Sequence, residues 1–276
     1  MHMAASTITS KAPTHSDARA IDSVRHPVAR RIADVLRNRS SKPRTVVIDD
    51  AENIEQAIAS GIRLDSLYIT RSAASDQSAS PHVGDDVPRY LLDDRVASEL
   101  FGDQKHARVF ALARAPRTPG LDDLRGTRGD LVVLDGVRLV GNIGAITRTS
   151  CALGAAGIIL LDSGLRTTLD RRLIRASRGL VFSLPVVLAS RAECTEFLQQ
   201  ERVSIATLSA EAESSLRSIR SVSDRIAIVL GSERSGVSQD LHDLANHRYS
   251  IPMTPGVESL NVSVAAAIAL YEHGAG

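Results

Sequence analysis

The stretch R-I-A-I-V-L-G-S-E-R-S-G (225–236), followed by S-I-P-M (250–253) and S-L-N-V-S-V-A-A-A-I-A-L-Y (259–271), decides how the chain is read. Residues 226–230 are a continuous apolar run, the pattern of a strand buried on both faces of a parallel sheet. Gly231 and Gly236 bracket a turn in which backbone can approach a ligand closely. Ser259 is placed to cap a helix whose Leu260, Val264, Ala267 and Ile268 recur at helical spacing. Backbone groups, the Glu233 carboxylate and small polar side chains are thereby expected to converge at two neighbouring strand ends, as a nucleotide-type pocket requires.

Upstream of this stretch, strand and helix patterns alternate. Strands are expected over residues 131–134, 157–161, 185–188 and 204–208, with a further one at 249–251. Helices are expected over about 143–153, 169–178, 191–201 and 241–246, and the last over 259–271. This alternation predicts a parallel sheet with helices on both faces. A doubly wound dinucleotide-binding fold places its glycine fingerprint at the first strand-to-helix turn. Here that turn reads D-G-V-R-L-V-G-N-I-G-A-I-T-R (135–148), without G-x-G-x-x-G spacing, and no P-loop occurs anywhere. Dinucleotide and nucleoside-triphosphate chemistry both lose support.

Before residue 114 lies a smaller α/β pattern: strands at 45–48, 64–69, 89–92 and 109–113, and helices at 51–60 and 95–101. Residues 27–39 put Val28, Ile32, Val35 and Leu36 on one face of a basic amphipathic helix. The Pro- and Gly-containing run at 114–120 reads as a linker. The expected organisation is a disordered tail (1–18), a small α/β RNA-binding domain with its basic leader helix (19–116) and an α/β catalytic domain (117–276).

The formal net charge is only +1, but it is unevenly distributed. Residues 11–44 carry nine Lys or Arg against three Asp, a candidate footprint for nucleic acid. Lysine occurs only at positions 11, 42 and 105, so the positive charge is almost entirely arginine, which can hold phosphate bidentately. Aromatic residues make up 3% of the chain and tryptophan is absent, so stacking platforms are not expected. Cys151 and Cys194 form no metal-binding or disulfide pattern, and the histidines show no ligand spacing, so no metal is expected. No apolar run reaches the roughly 20 residues that span a bilayer, and the expectation is a cytoplasmic protein.

Three ordered motifs, N-I-G-A-I-T-R (142–148), I-V-L-G-S-E-R-S-G (228–236) and I-P-M with S-L-N-V-S-V-A (251–253 and 259–265), resemble those of the SpoU (TrmH-type) branch of the SPOUT RNA ribose methyltransferases. The resemblance covers about residues 129–273. It implies S-adenosylmethionine as methyl donor, an RNA ribose 2′-hydroxyl as acceptor, a homodimer, and a trefoil knot in the parallel sheet domain. The segments G-D-L-V-V-L-D-G-V (129–137), R-A-S-R-G-L-V-F-S-L-P-V-V-L (175–188) and I-P-M-T-P-G-V-E-S-L-N-V-S-V (251–264) are similar to the thiopeptide-resistance members of that branch. Those enzymes methylate an adenosine in the GTPase-associated region of 23S ribosomal RNA and so block thiostrepton and nosiheptide.

On this resemblance Arg148 is the catalytic arginine, with Asn142, Glu233 and Asn261 completing the catalytic set. A guanidinium keeps its proton in proteins, so Arg148 is expected to orient the 2′-hydroxyl and stabilise the emerging alkoxide. For Asn142, holding the turn, holding the acceptor ribose and capping the helix are all open. The donor is expected against Leu208, Gly231, Ser232, Glu233, Ile251, Met253, Ser259 and Leu260. RNA contacts are expected from Arg25, Arg30, Arg31, Arg44, Lys105, Arg108 and Arg178. Where many relatives carry H-Q-G-[IV]-A, this chain has G-D-Q-K-H-A-R-V-F-A-L-A-R (102–114). Two other readings stay open: a transfer-RNA ribose methyltransferase, and a non-catalytic RNA-binding module of the same fold.

Overall fold

A computed structural model of the chain describes residues 18–76, 80–102, 107–209, 211–232, 235–257 and 259–274. The expected tail therefore lies almost wholly outside the described residues. The first half contains β1 (Arg19–Ile21), α1 (Pro27–Arg37), β2 (Thr45–Asp49), α2 (Ala51–Ala59), β3 (Leu64–Thr70), β4 (Arg89–Leu92), α3 (Asp94–Phe101) and β5 (Val109–Arg114). Its five strands form one sheet in the order β1-β4-β3-β5-β2. The pairs of β5 with β2 and β3 are antiparallel, and those of β4 with β1 and β3 are parallel.

Pro27 opens α1, and the His26 ring nitrogen accepts from Val28 N. Both suit a first turn whose N–H groups have no intrahelical partner. Ile32 is buried, and Val28, Val35 and Leu36 pack on the same cluster. The helix ends at Arg37 because Asn38 is extended, two residues earlier than the pattern suggests. Strand β1 was not anticipated: three residues carry too little periodicity, and only their parallel pairing with β4 makes them a strand.

The second half contains β6 (Leu131–Asp135), α4 (Val140–Ala152), β7 (Gly157–Leu161), α5 (Arg171–Ala176), β8 (Val186–Ala189), α6 (Arg191–Gln200) and β9 (Ser204–Leu208). It continues with β10 (Ser214–Ser215), β11 (Ile226–Gly231), α7 (Gln239–Asp243), β12 (His247–Ser250) and α8 (Val262–Gly274). The seven strands form one sheet, parallel throughout, in the order β10-β12-β9-β11-β6-β7-β8. Alternate residues of β6 enter different cores: Val132 and Leu134 pack with Ile143, Leu173 and Ala266, whereas Leu131 and Val133 pack with Phe197, Leu198 and Leu241. That period of two puts α4, α5 and α8 on one face and α6 and α7 on the other. Among the described residues, no helix is long and apolar enough to cross a membrane.

Gly144 explains how tightly α4 and α5 pack. A Cβ there would overlap Ala176, coming within 2.8 Å of its carbonyl oxygen. The end of α8 is tied to the start of β6, where His273 Nδ1 lies 2.5 Å from Asp130 Oδ2.

The two halves share a core. One apolar cluster contains Val46, Ile48, Ile54 and Ala57 of the first half together with Ile143, Leu173, Ile174 and Val181 of the second. At its edge Asp49, 1% exposed, accepts from Arg171 Nε at 2.8 Å and Nη2 at 3.0 Å. Burial pushes the Asp49 carboxyl above its ordinary value, and Arg171 and then Arg175 oppose that shift. The Arg171 guanidinium also lies 4.5 Å from the Phe101 ring centroid. Ser183 adds side-chain hydrogen bonds to Gln56 and Ser60. Arg171→Ala leaves Asp49 buried without its partner and is expected to lower stability by about 3 kcal/mol in urea unfolding. The Asp49→Ala/Arg171→Ala double variant should lose less than the sum of its two single variants.

Candidate functional site

The carboxyl ends of β6, β7, β9 and β11 and the start of α8 surround two adjoining cavities. In open parallel sheets the carboxyl ends are where ligands bind, since the strand-to-helix turns diverge there. The smaller cavity, about 200 Å³, is bounded by Leu208, Gly231, Ser232, Ile251, Met253, Ser259 and Leu260, together with Gly236 and Ala265. Seven of the eight residues expected to hold the donor therefore meet in one space; the eighth, Glu233, lies outside the described residues.

The shape of this cavity follows from Gly231. A Cβ at that position would coincide with backbone of Gly236 and Val237. The chain leaves β11, makes a short loop closed by Gly236 N donating to Ser232 O at 2.9 Å, and returns against its own strand end. Gly236 itself has φ +64°, a left-handed conformation that L side chains rarely adopt. Both glycines of the motif are thus required by close backbone approach and by turn geometry.

The larger cavity, about 730 Å³, shares Ser232, Gly236 and Val262 with the first and adds Asp135, Arg138, Asn142, Asp162, Arg191 and Ser238. Asp135, ending β6 and 1% exposed, accepts from Arg191 Nε at 2.8 Å and from Ser238 N at 2.7 Å. One carboxylate thereby joins the end of β6, the start of α6 and the loop returning from β11. Arg138 donates to Asp162 at 2.7 Å across the mouth. Sequence reasoning missed Asp135, Arg138, Asp162 and Arg191. The only available signal was that Asp135 and Asp162 directly follow apolar strand runs.

The two asparagines of the expected catalytic set meet: Asn261 Nδ2 donates to Asn142 Oδ1 at 3.2 Å, across 119 residues of sequence. One open reading closes and one expectation is corrected. Asn142 does not cap α4, whose capping position is Leu139 and whose first turn already contains Asn142. Ser259 does not cap α8. Asn261 does, its Oδ1 accepting from Ser263 N at 2.9 Å, because the helix begins at Val262 rather than 259.

Arg148 is exposed on α4 and borders neither cavity. Six residues beyond Asn142 on a helix, it points about 120° away from it and lies roughly 9 Å further along the axis. Within one chain, Arg148 and the Asn142–Asn261 pair are therefore not brought together. Of the expected RNA contacts, Arg25, Arg30 and Arg44 are exposed on the first half. Arg31 is paired with Asp65 at 2.7 Å, Arg108 with Asp76 at 3.6 Å and Arg178 with Glu52 of α2 at 3.6 Å. Lys105 lies outside the described residues.

A parallel sheet with cavities at its carboxyl strand ends is the frame of an α/β ligand-binding domain, and the sequence comparisons give its family. Residues 130–271 match the SpoU rRNA methylase family, and residues 18–127 match the N-terminal region of thiostrepton-resistance methylases. The chain belongs to the SpoU rRNA methylase family. It is 42% identical over 247 residues to the 23S rRNA (adenosine(1067)-2′-O)-methyltransferase of Streptomyces azureus, covering 89% of this chain and 92% of that one. Among solved structures, an RNA 2′-O ribose methyltransferase superposes with TM-score 0.74 at 27% identity, covering 92% of this chain and 97% of that one. The AdoMet-bound rRNA methyltransferase of Sinorhizobium meliloti, at 23% identity, shares the fold with TM-score 0.73, over 93% of this chain and 97% of that one.

Gly231→Ala is expected to cost roughly 1–3 kcal/mol, since the added methyl meets backbone that cannot rotate away. A lowered thermal unfolding midpoint would register it.

Proposed function

We propose that the protein transfers a methyl group from S-adenosylmethionine to the ribose 2′-hydroxyl of an adenosine in the GTPase-associated region of 23S ribosomal RNA. Cells carrying it then resist thiostrepton and nosiheptide. The observation that carries this reading is the meeting of all three motifs at one end of the parallel sheet, with Asn142 and Asn261 in direct contact. Identity of 42% to an enzyme with that named activity supports the choice of substrate. In the proposed division of labour, residues 19–116 present the RNA and residues 117–276 carry the chemistry.

The smaller cavity fits the adenosine part of the donor. Leu208, Ile251, Met253 and Leu260 offer apolar walls to the two faces of a base, while Gly231 leaves backbone exposed to its edge. The donor, when bound, supplies an electrophilic methyl group. The chain's own task is to hold the 2′-oxygen in line with it, and positioning of this kind lowers barriers by up to about 7–11 kcal/mol in the best intramolecular cases. Asn142 and Asn261 orient the ribose, Arg148 stabilises charge growing on the oxygen, and Glu233 completes the set.

Because Arg148 borders neither cavity of its own chain, the reading includes a homodimer in which Arg148 serves the partner's site. Its face of α4 is a stripe of small residues, Gly141, Ala145 and Ala152, recurring at helical spacing with Arg148. On the neighbouring α8, Val264 is 46% and Tyr271 61% exposed, on the face opposite buried Ala266 and Leu270. A helix apolar on all sides is one that needs covering on all sides. The finer topology proposed is the trefoil knot, with the return of the chain at Gly231 and the packing of α8 on α4 as its supports.

Incubation with labelled S-adenosylmethionine and separate ribosomal and transfer RNA pools should label 23S rRNA at one adenosine ribose. Label confined to transfer RNA, or absent from both, would overturn the reading. Arg148→Lys keeps the charge but loses the fork and should reduce turnover roughly 100-fold with donor binding intact. A Val264→Asp/Tyr271→Asp variant should sediment as a monomer where the parent protein sediments as a dimer.

A further inference from the structure

A third cavity, about 620 Å³, opens where the two halves of the chain meet. One wall is the end of α1 with β2, and the other is the segment from Gly164 to Arg175 that leads into α5. Five arginines border it, Arg39, Arg166, Arg171, Arg172 and Arg175, against two acids, Asp49 and Asp170. The acids are already committed. Asp49 holds Arg171 through two hydrogen bonds, and Asp170 holds Arg172 at 2.9 Å. Arg175 lies 3.7 Å from Asp50. Arg39 and Arg166 are exposed, and neither is within ion-pairing distance of an acid among the described residues. The groove thus carries two uncommitted guanidinium forks on opposite walls, one from each half of the chain.

Its position relates it to the reaction. Asp162 borders the larger cavity at the carboxyl end of β7, whereas Gly164 and Arg166 border the groove. Four residues from 162 to 166 span at most roughly 14 Å. A strand of nucleic acid leaving the larger cavity along this segment would reach the groove. Guanidinium forks match phosphate oxygens bidentately, and such contacts set register rather than read sequence.

We propose that this groove holds the phosphate backbone of the RNA next to the nucleotide being methylated, with Arg39 and Arg166 as the contacting side chains. The inference rests on the reading of the protein as an rRNA methyltransferase. It places the RNA path across the seam between the halves, in addition to the exposed arginines of the first half. A backbone gripped by both walls fixes the substrate relative to the donor only while the halves keep their docking. This gives the shared core and the Asp49–Arg171 pair a role in presenting the substrate.

The test uses the full-length chain and a 23S rRNA transcript, with affinity measured across a series of salt concentrations. Removing one arginine–phosphate interaction should lower the slope of log affinity against log salt by about 1. Arg39→Gln/Arg166→Gln should therefore flatten the slope by about 2, with S-adenosylmethionine binding by calorimetry unchanged. Arg39→Lys/Arg166→Lys keeps the charges and should restore most of the slope. A control pair at the other end of the sheet, Arg128→Gln/Arg202→Gln, should leave it as in the parent protein. If the Arg39→Gln/Arg166→Gln variant has the parent slope and affinity while the parent methylates the transcript, the groove is not on the RNA path and the proposal fails alone. If the parent transfers no methyl to the transcript, the functional reading fails and the groove proposal falls with it.

Discussion

The contact of Gly231 with Gly236 and Val237 is the constraint on which the site depends. A strand in the middle of a parallel sheet normally hands its chain to a helix on one face, and the turn diverges from the sheet. Here the chain returns against its own strand end so closely that no Cβ fits between. Such an approach cannot hold itself in place. Asp135 holds it by accepting from Ser238 N in the same returning segment, while its other oxygen holds Arg191. A buried carboxylate left without donors would be strongly unfavourable, so the end of β6, the start of α6 and the loop are obliged to stay together. The two cavities are what remains open around that fixed point.

The second dependence lies at the seam. Two sheets with different strand patterns, one mixed and one parallel, would ordinarily form separately cored bodies. Here the apolar cluster crosses from one to the other, and a buried ion pair between Asp49 and Arg171 sits at its edge. Gly179, with φ +78°, lets the segment after α5 lie against α2: a Cβ there would be 2.9 Å from the Asn53 carbonyl oxygen. Arg178, beside it, lies 3.6 Å from Glu52 of α2 in a solvent-exposed pair that adds little to the seam. An enzyme that acts on a large folded RNA gains precision from such docking, because errors of about 1 Å in placement are costly to reaction.

Much of the fold was legible because burial writes itself into local pattern. The apolar runs at 131–134, 157–161 and 226–230 mark strands covered on both faces, and each is a central strand of the second sheet. Strand β1 and the two-residue β10 were illegible, since strands that short are defined by the neighbour they pair with. The start of α8 was misplaced because residue type allowed more than one cap. Ser259 looked like the cap of α8 by residue type, yet Asn261 fills the role and also reaches Asn142. The residues bounding the smaller cavity were recoverable from the motifs. Asp135, Arg138, Asp162 and Arg191 were not, because three of them stand outside any motif quoted for the site and their association spans two strand ends and a helix start.

The sequence by itself determined the alternation of strand and helix, the identity of the motifs and hence the family, because these depend on residue type and spacing along the chain. It also marked a turn after β11 with glycine at both ends, whose close approach to its own strand end only the structure shows. Only the tertiary structure decided which motifs face one another, that Asn142 meets Asn261, and that the two halves share a core. Those facts depend on distances between residues far apart in sequence, set by close packing and by where buried charges find partners, and no local pattern encodes them.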